Sequence, residues 1–192
     1  MKSTREKVIT AALGQIGEYG YAKATTKSIA EKAGVNELTI FRLFGSKMGL
    51  MEVLLETTIG PFIDTLERLS TTNELEHDLM LLAEAYATFT SRHQAFLIRI
   101  LPEVSNSEIG DLVIPLQEGI IAHMTTIITR HKSALRDDLP IEDFIRAFLG
   151  PLLARAFLGH VLKNTDLDIK SYVRSYLYGY ARNLEEGAES TN

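Results

Sequence analysis

Hydroxyl and basic side chains lie together at the start of a predicted helix near residue 25. Thr25 and Thr26 can each cap the first turn of this helix, and Lys27 follows directly. The hydroxyls and the free backbone N–H groups of such a helix start form an anion site, which a lysine cation reinforces. This grouping indicates phosphate binding.

A second predicted helix, capped by Asn36, carries side chains suited to the edges of DNA bases. Glu37 can accept a hydrogen bond from a cytosine amino group, and Arg42 can pair with guanine or with phosphate. Leu38 and the methyl group of Thr39 can contact the methyl group of thymine. These residue types favour nucleic-acid recognition but do not fix a base sequence.

Both helices need an inward face to hold these groups in place. Apolar residues at helical spacing provide it: Ile29, Ala30 and Ala33 on the first helix, Ile40 and Phe44 on the second, and Val35 between them. Gly34 supplies the left-handed residue that ends the first helix. Two short helices joined by a tight turn predict a helix-turn-helix, in which the second helix lies in the DNA major groove and the first crosses the phosphate backbone.

The first fifty residues resemble the DNA-binding signature of the TetR/AcrR family, through Thr25-Thr26-x-x-Ile29-Ala30-x-x-Ala33-Gly34-Val35-Asn36-x-x-Thr39-Ile40-Phe41-x-x-Phe44-x-Ser46-Lys47-x-x-Leu50. The resemblance implies that the first helix start meets the DNA backbone, that the second helix approaches base edges, and that Lys47 holds a further phosphate. The predicted DNA-binding residues are Thr25, Thr26, Lys27, Asn36, Glu37, Leu38, Thr39, Phe41, Arg42 and Lys47.

Three positions depart from the family pattern. Phe41 stands where a phosphate-binding tyrosine is usual, Leu38 where glycine is frequent, and Leu43 where histidine or tyrosine often occurs. Phe41 and Leu43 can also be read as extensions of the small core, and for Leu43 we favour that interpretation. The resulting surface is more apolar, so binding relies more on the neighbouring basic side chains.

Charge is unevenly distributed along the 192 residues. Residues 1 to 50 contain eight Lys and Arg against four Asp and Glu, a net charge of +4, and the remainder contains twelve against 21, a net charge of −9. The basic end has the sign that phosphate binding requires. The chain contains no cysteine, which excludes disulfides, thiolate metal sites and cysteine nucleophiles.

The patterns predict an all-α protein with two domains: a three-helix domain with the helix-turn-helix at residues 1–47, and a helical regulatory and dimerisation domain at residues 48–192. Ser3 and Glu6 form a capping box that starts the first helix. We expect Gly60-Pro61 to bend or break the helix that begins at Lys47, and Pro115 to interrupt a later apolar helix. No apolar run predicts a membrane span, and no secretory signal is present, so we expect a soluble, cytoplasmic protein.

The last third of the sequence predicts two helices with apolar or aromatic residues on more than one face. In the TetR/AcrR family the final pair of helices forms a four-helix bundle with its copy in a second subunit, so the resemblance implies a homodimer. The predicted interface residues are Phe144, Phe148, Leu152, Ala156, Gly159, Tyr172, Tyr176 and Tyr180.

The family also has a ligand pocket among its middle helices, which implies a small-molecule effector here. The composition of the candidates indicates an apolar or aromatic ligand, with a histidine or an arginine as its polar contact. The candidates are Phe62, Leu66, Tyr86, Phe89, Phe96, Ile100, Ile120, His123, Met124, Phe148 and Arg155. Most of them can also be read as ordinary core residues, and Arg155 as an ion-pair partner at an interface or on the surface.

The preferred function is that of a ligand-responsive repressor that binds a palindromic DNA operator as a homodimer, without cofactor or metal. One alternative is a DNA-binding regulator with no small-molecule effector. Another is an enzyme on a helical bundle, but a di-iron site needs two Glu-x-x-His units and the chain has one, Glu74 to His77. His-Glu-x-x-His, glycine-rich phosphate loops and Gly-x-Ser-x-Gly are also absent from the sequence.

Overall fold

The computed structural model describes residues 2–68, 72, 74–106, 108–158 and 167–180, with the side chains of 106, 156 and 157 left aside. These residues form α-helices and two short 3-10 helices, and no strand occurs among them. The helices are α1 (Thr4–Tyr19), α2 (Thr26–Ala33), α3 (Glu37–Phe44), α4 (Lys47–Arg68), α5 (Leu75–Ile100), η1 (Leu101–Asn106), α6 (Glu108–Arg130), η2 (Lys132–Ala134), α7 (Ile141–Leu158) and α8 (Ile169–Tyr180). The all-α prediction is confirmed.

Local capping groups start and stop the first helix as the sequence predicts. The Ser3 amide donates to Glu6 Oε2 at 2.7 Å, and the Glu6 amide donates to Ser3 Oγ at 3.2 Å. The hydrogen bond from the Ser3 amide also lowers the pKa of the Glu6 carboxyl. α1 ends at Gly20, whose φ of 83° lies where a residue with a Cβ is strained.

Prolines do not break the long helices. α4 continues through Pro61, α6 through Pro115 and α7 through Pro151, so the expected break in α4 and the expected interruption of α6 are wrong. Proline has no N–H group, so the carbonyl four residues before it loses its helical hydrogen bond. All three prolines are exposed, so water can bind that carbonyl on the solvent side of the helix. The irregular residue inside α5 is instead His93, with φ −113° and ψ 16°.

The chain divides into two compact units. Unit 1 comprises Met1–Pro61 and Arg92–Gln117, and unit 2 comprises Phe62–Ser91 and Glu118–Asn192. Helices α4, α5 and α6 each contribute residues to both units. The predicted domain boundary at residue 47 stays a prediction.

Unit 1 has its own apolar core. Its fully buried side chains come from every helix around the predicted helix-turn-helix, including Val8 and Ile16 of α1, Ile29 of α2, Ile40 of α3, and Leu50 and Leu54 of α4. Each of these is at most 2 % exposed. This shared core fixes α3 against its neighbours and leaves its remaining faces outside.

Unit 2 is built around an aromatic core. The ring of Phe62 stacks on that of Phe89 with centroids 4.5 Å apart. The Tyr176 hydroxyl of α8 donates to the Phe144 carbonyl of α7 at 3.0 Å, and one turn earlier the Tyr172 hydroxyl donates to the carbonyl of Phe148. Burial raises the pKa of Tyr172 to about 12. These hydroxyl groups join α7 and α8 within one protomer.

Helix α6 is long and apolar enough to cross a membrane by length and composition, with a mean hydropathy of 1.3 over its most apolar window. The sequence predicts no apolar run long enough to span a membrane, and Asp111 and Glu118 do interrupt this helix. The helix buries one side at helical spacing within the chain and exposes both carboxylates on the other. The buried residues are Ile109, Val113, Met124, Ile127 and Ile128. This division is typical of an amphipathic helix that packs one face against a core, and 22 % of the apolar window is buried within the chain.

Candidate nucleic-acid interface

Helices α2 and α3 are joined by the tight turn that the sequence predicts. Thr25 Oγ1 accepts from the Ser28 amide at 3.1 Å, which caps α2. Gly34 is left-handed, with φ 68° and ψ 38°, and the following Val35 amide donates to Ala30 O at 3.0 Å. Asn36 Oδ1 then accepts from the Leu38 amide at 2.9 Å, which starts α3. The sequence thus encodes both the turn and the start of the second helix.

Helix α3 exposes three large apolar side chains. Ile40 is fully buried and Phe44 is half-buried, as predicted, but Leu38 is 74 % exposed, Phe41 44 % and Leu43 37 %. The interpretation of Leu43 as a core residue is therefore wrong. A helix of eight residues buries one stripe, and Ile40 and Phe44 already fill it.

A hydrogen bond between α2 and α3 holds Glu37. Thr26 Oγ1 donates to Glu37 Oε1 at 2.5 Å, so one carboxylate oxygen faces α2. Both side chains were predicted to contact DNA, and here each partly satisfies the other. Base recognition by Glu37 stays a prediction, and it would proceed through its second oxygen or after this bond opens.

The remaining predicted contacts differ in their exposure. Lys27 and Arg42 are exposed, Thr39 is half-buried, and the exposed Asn36 serves as the cap of α3. Thr25 is exposed beside Lys27, although its hydroxyl caps α2. Lys27 of α2 and Arg42 of α3 are therefore exposed cations, one on each helix of the helix-turn-helix.

Lys47 has a more structural position than the sequence indicates. Its Nζ donates to Tyr21 O at 2.6 Å and to Ala22 O at 3.4 Å, and lies 4.2 Å from the centroid of the Tyr21 ring. Burial lowers its pKa. Lys47 thus ties the start of α4 to the loop between α1 and α2.

We expect Lys47→Ala to weaken binding to every DNA sequence, because it removes a cation and the tie to Tyr21 together. If Lys47 also contacts phosphate, the slope of log K against log salt becomes shallower by about one unit. Titrations at several salt concentrations measure this slope. Lys132→Ala, the same charge change on an exposed residue of unit 2, should leave the slope unchanged; an unchanged slope for Lys47→Ala would refute the phosphate contact.

Glu103, in η1, is a site residue that the sequence analysis did not identify. Its Oε1 accepts from the Tyr21 amide at 2.9 Å, and a Cβ added to Gly20 would lie 2.8 Å from the same oxygen. The loop before α2 is therefore held by Glu103 on one side and by Lys47 on the other. A separation of 82 residues between donor and acceptor leaves no local signal in the sequence.

The predicted ligand-binding residues are divided between the two units. Several belong to the core of unit 2, namely Phe62, Leu66, Tyr86, Met124 and Phe148, with Phe89 and Ile120 packed against them. Phe96 and Ile100 are buried in unit 1, while His123 and Arg155 are half-buried in unit 2. A cleft of about 500 Å³ in unit 1 is lined by Phe96 and by none of the other candidates.

The predicted interface residues lie mostly inside the protomer. Phe144, Phe148, Leu152 and Tyr176 are at most 5 % exposed, so they belong to the core of the same chain. Tyr172 and Tyr180 are half-buried; Gly159 lies outside the described residues, as does the side chain of Ala156. The two final helices remain the predicted interface, but through other side chains. A hydrophobic stripe does not reveal whether its cover comes from the same chain or from a second one.

Comparisons with known proteins agree with this geometry. Residues 8–54 match the family described as bacterial regulatory proteins, tetR family. Over 55 residues, 29 % of each chain, the sequence is 49 % identical to the uncharacterized HTH-type transcriptional regulator YvkB of Bacillus subtilis. It is 26 % identical over 193 residues to the nucleoid occlusion factor SlmA of Vibrio vulnificus, covering 96 % of this chain and 92 % of that one.

A solved structure extends the likeness to the whole fold. The transcriptional regulator FadR from Bacillus subtilis, in complex with stearoyl-CoA, superposes with a TM-score of 0.71 at 21 % identity. The match covers 90 % of this chain and 95 % of that one. At this identity the likeness establishes the fold, including the helical region that follows the helix-turn-helix.

Proposed function

Because this chain is a DNA-binding transcriptional regulator of the TetR family, we propose that it represses transcription from a palindromic operator as a homodimer and is released by a small apolar or aromatic effector. The exposed face of α3 carries this proposal. Leu38, Phe41 and Arg42 all lie outside the core on the helix that the motif places in the major groove. The domain division at residue 47 and a cytoplasmic location, where the operator is accessible, are parts of the same proposal.

A homodimer would account for a palindromic operator. Exposed small or apolar residues follow one line on α7, Gly150, Ala154 and Leu158, and exposed Ser171, Ser175 and Gly179 follow another on α8. Small side chains at a spacing of four residues let helices of a second subunit pack closely. Two copies of α3 separated by about one helical turn of DNA, about 34–36 Å, would then read a palindrome.

We expect Ala154→Arg to convert the dimer into monomers, because an arginine in the middle of this line places a charge and a long side chain between packed helices. Light scattering coupled to size exclusion measures the mass. Ala122→Arg, the same change at an exposed position of α6, should leave the dimer intact. A dimer that tolerates Ala154→Arg would place the interface elsewhere.

The effector would bind in unit 2, whose core is rich in aromatic side chains. FadR, which shares the fold, was solved with stearoyl-CoA, an acyl chain carrier. An apolar ligand in this core would compete with the stacked rings of Phe62 and Phe89, whose centroids lie 4.5 Å apart. Ligand binding would then favour a dimer in which the two reading helices no longer fit the operator.

The second candidate is a regulator that responds to no small molecule, and the close stack of Phe62 on Phe89 favours it. To separate the two, a panel of acyl-CoA esters and aromatic compounds is screened by thermal stabilisation, and each hit is added to the protein–operator complex. A compound that raises Tm and also weakens operator binding supports the effector. Hits that raise Tm without changing DNA affinity would contradict it.

A further inference from the structure

The apolar surface of α3 has no explanation in the folding of the chain. Leu38 is 74 % exposed and Phe41 44 %, on a helix whose inward stripe is already complete. Apolar side chains do occur singly on surfaces, but two on one face of an eight-residue helix form a patch. The patch belongs to the element that faces DNA in the proposed function.

The position of Leu38 suits it for contact with a base. It is the second residue of α3, and its own amide is fixed by Asn36 Oδ1 at 2.9 Å. Residues near the start of a recognition helix contact base edges. Phe41 and Arg42 follow three and four residues later, so they share the face of Leu38 along the helix axis.

The chemistry of this face limits what it can read. Leucine and phenylalanine offer neither a hydrogen-bond donor nor an acceptor, and the neighbouring carboxylate of Glu37 already accepts from Thr26 at 2.5 Å. Among base edges in the major groove, the feature that is recognised by apolar contact is the C5-methyl group of thymine. The guanidinium of Arg42 adds a contact to guanine or phosphate beyond it.

Resting on the proposed function, we propose that Leu38 and Phe41 select thymine in each operator half-site through its 5-methyl group. Leu38 is the specificity-determining residue, and Phe41 extends the apolar contact along the groove. Residues 1–50 have a net charge of +4, which is complementary to the phosphate groups on either side of the base contact.

The test uses an operator obtained by selection from random DNA and the full-length protein. Each thymine is replaced in turn by deoxyuridine, which removes the methyl group and leaves base pairing intact. We expect one or two positions per half-site at which binding weakens about fourfold, from about 0.8 kcal/mol for one buried methyl group, and about fifteenfold when both half-sites are changed. In Leu38→Ala, deoxyuridine should have no effect at the thymine that Leu38 contacts, which makes the two changes non-additive.

Leu43→Ala is the matched control, since it truncates an exposed leucine of the same helix. Leu43 comes five residues after Leu38 and therefore lies on a different face of α3. It should keep the deoxyuridine penalty of the unaltered protein. Deoxyuridine tolerated at every position by a protein that binds the operator tightly would overturn the inference and leave the proposed function standing. A penalty that persists at every sensitive thymine in Leu38→Ala would also overturn it, because the methyl contact would then belong to another residue. Failure to bind any duplex would instead overturn the proposed function.

Discussion

Replacing Gly49 by alanine is expected to reduce operator affinity about a hundredfold. A Cβ at Gly49, in the first turn of α4, would overlap the carbonyl oxygen of Phe44, the last residue of α3. Neither backbone can yield locally, because Gly45 between them has φ 75° and the Ser46 hydroxyl accepts from the Gly49 amide at 2.9 Å. The clash therefore moves α3, and losing two base contacts of about 1–3 kcal/mol each accounts for the drop.

Stability should fall as well in Gly49→Ala, by about 2 kcal/mol, since overpacking outweighs the gain in helix propensity. Gly119→Ala, in the interior of α6, is the control, because Gly119 is exposed and a Cβ there meets nothing within 4 Å. It should stabilise the protein by about 0.5–1 kcal/mol and keep DNA affinity. Urea unfolding and fluorescence anisotropy measure the two quantities, and equal behaviour of the two variants would refute the close contact between α3 and α4.

Asp78→Ala should cause the largest loss of stability, about 3–5 kcal/mol at pH 7. Asp78 is 3 % exposed in unit 2, and its Oδ2 lies 2.8 Å from Nε2 of the buried His131. Its Oδ1 accepts from both the hydroxyl and the amide of Thr72. Removal of the carboxylate leaves these polar groups buried without their partner.

The loss should depend on pH in a defined direction. Burial alone would raise the pKa of Asp78, but the hydrogen bonds from Thr72 and His131 together lower it below 3.8. A lowered carboxyl pKa contributes stability that is complete above the unfolded value, about 3.9, and is lost as the pH falls through the native value. The difference between the two proteins should therefore narrow below pH 4.

Urea unfolding at pH 7, 5 and 3 tests this dependence. Asp138→Ala serves as the control, because Asp138 forms its ion pair with Arg136 at an exposed site. It should change stability little at any of these pH values. An Asp78→Ala protein as stable as its parent at pH 7 would mean that the buried cluster does not hold unit 2 together.

The sequence was sufficient for the parts of the site that depend on neighbouring residues. The caps at Thr25 and Asn36, the left-handed Gly34 and the inward Ile40 are all fixed within a few positions along the chain, and the structure contains each of them. Capping and helical periodicity act over one or two turns. They can therefore be read directly from residue order.

Partners that are distant in sequence could not be predicted in the same way. The contacts of Glu103 with Tyr21, and of Asp78 with His131, join residues separated by 82 and 53 positions. No pattern of residue types in the sequence distinguishes the carboxylates of Asp78 and Glu103 from carboxylates that lie on the surface without such partners. The same limit applies to Lys47, whose neighbours depend on how a loop folds back over α4.

Selection of bound duplexes from a random pool by the 192-residue protein is the decisive experiment for DNA recognition by a dimer. We expect a palindromic consensus whose half-sites are about one helical turn apart and contain thymine opposite α3. The Ala154→Arg and Gly49→Ala variants should fail to enrich it. A pool that yields no enriched sequence at low salt, or an enriched sequence without two-fold symmetry, would contradict a dimer that reads DNA through paired copies of α3.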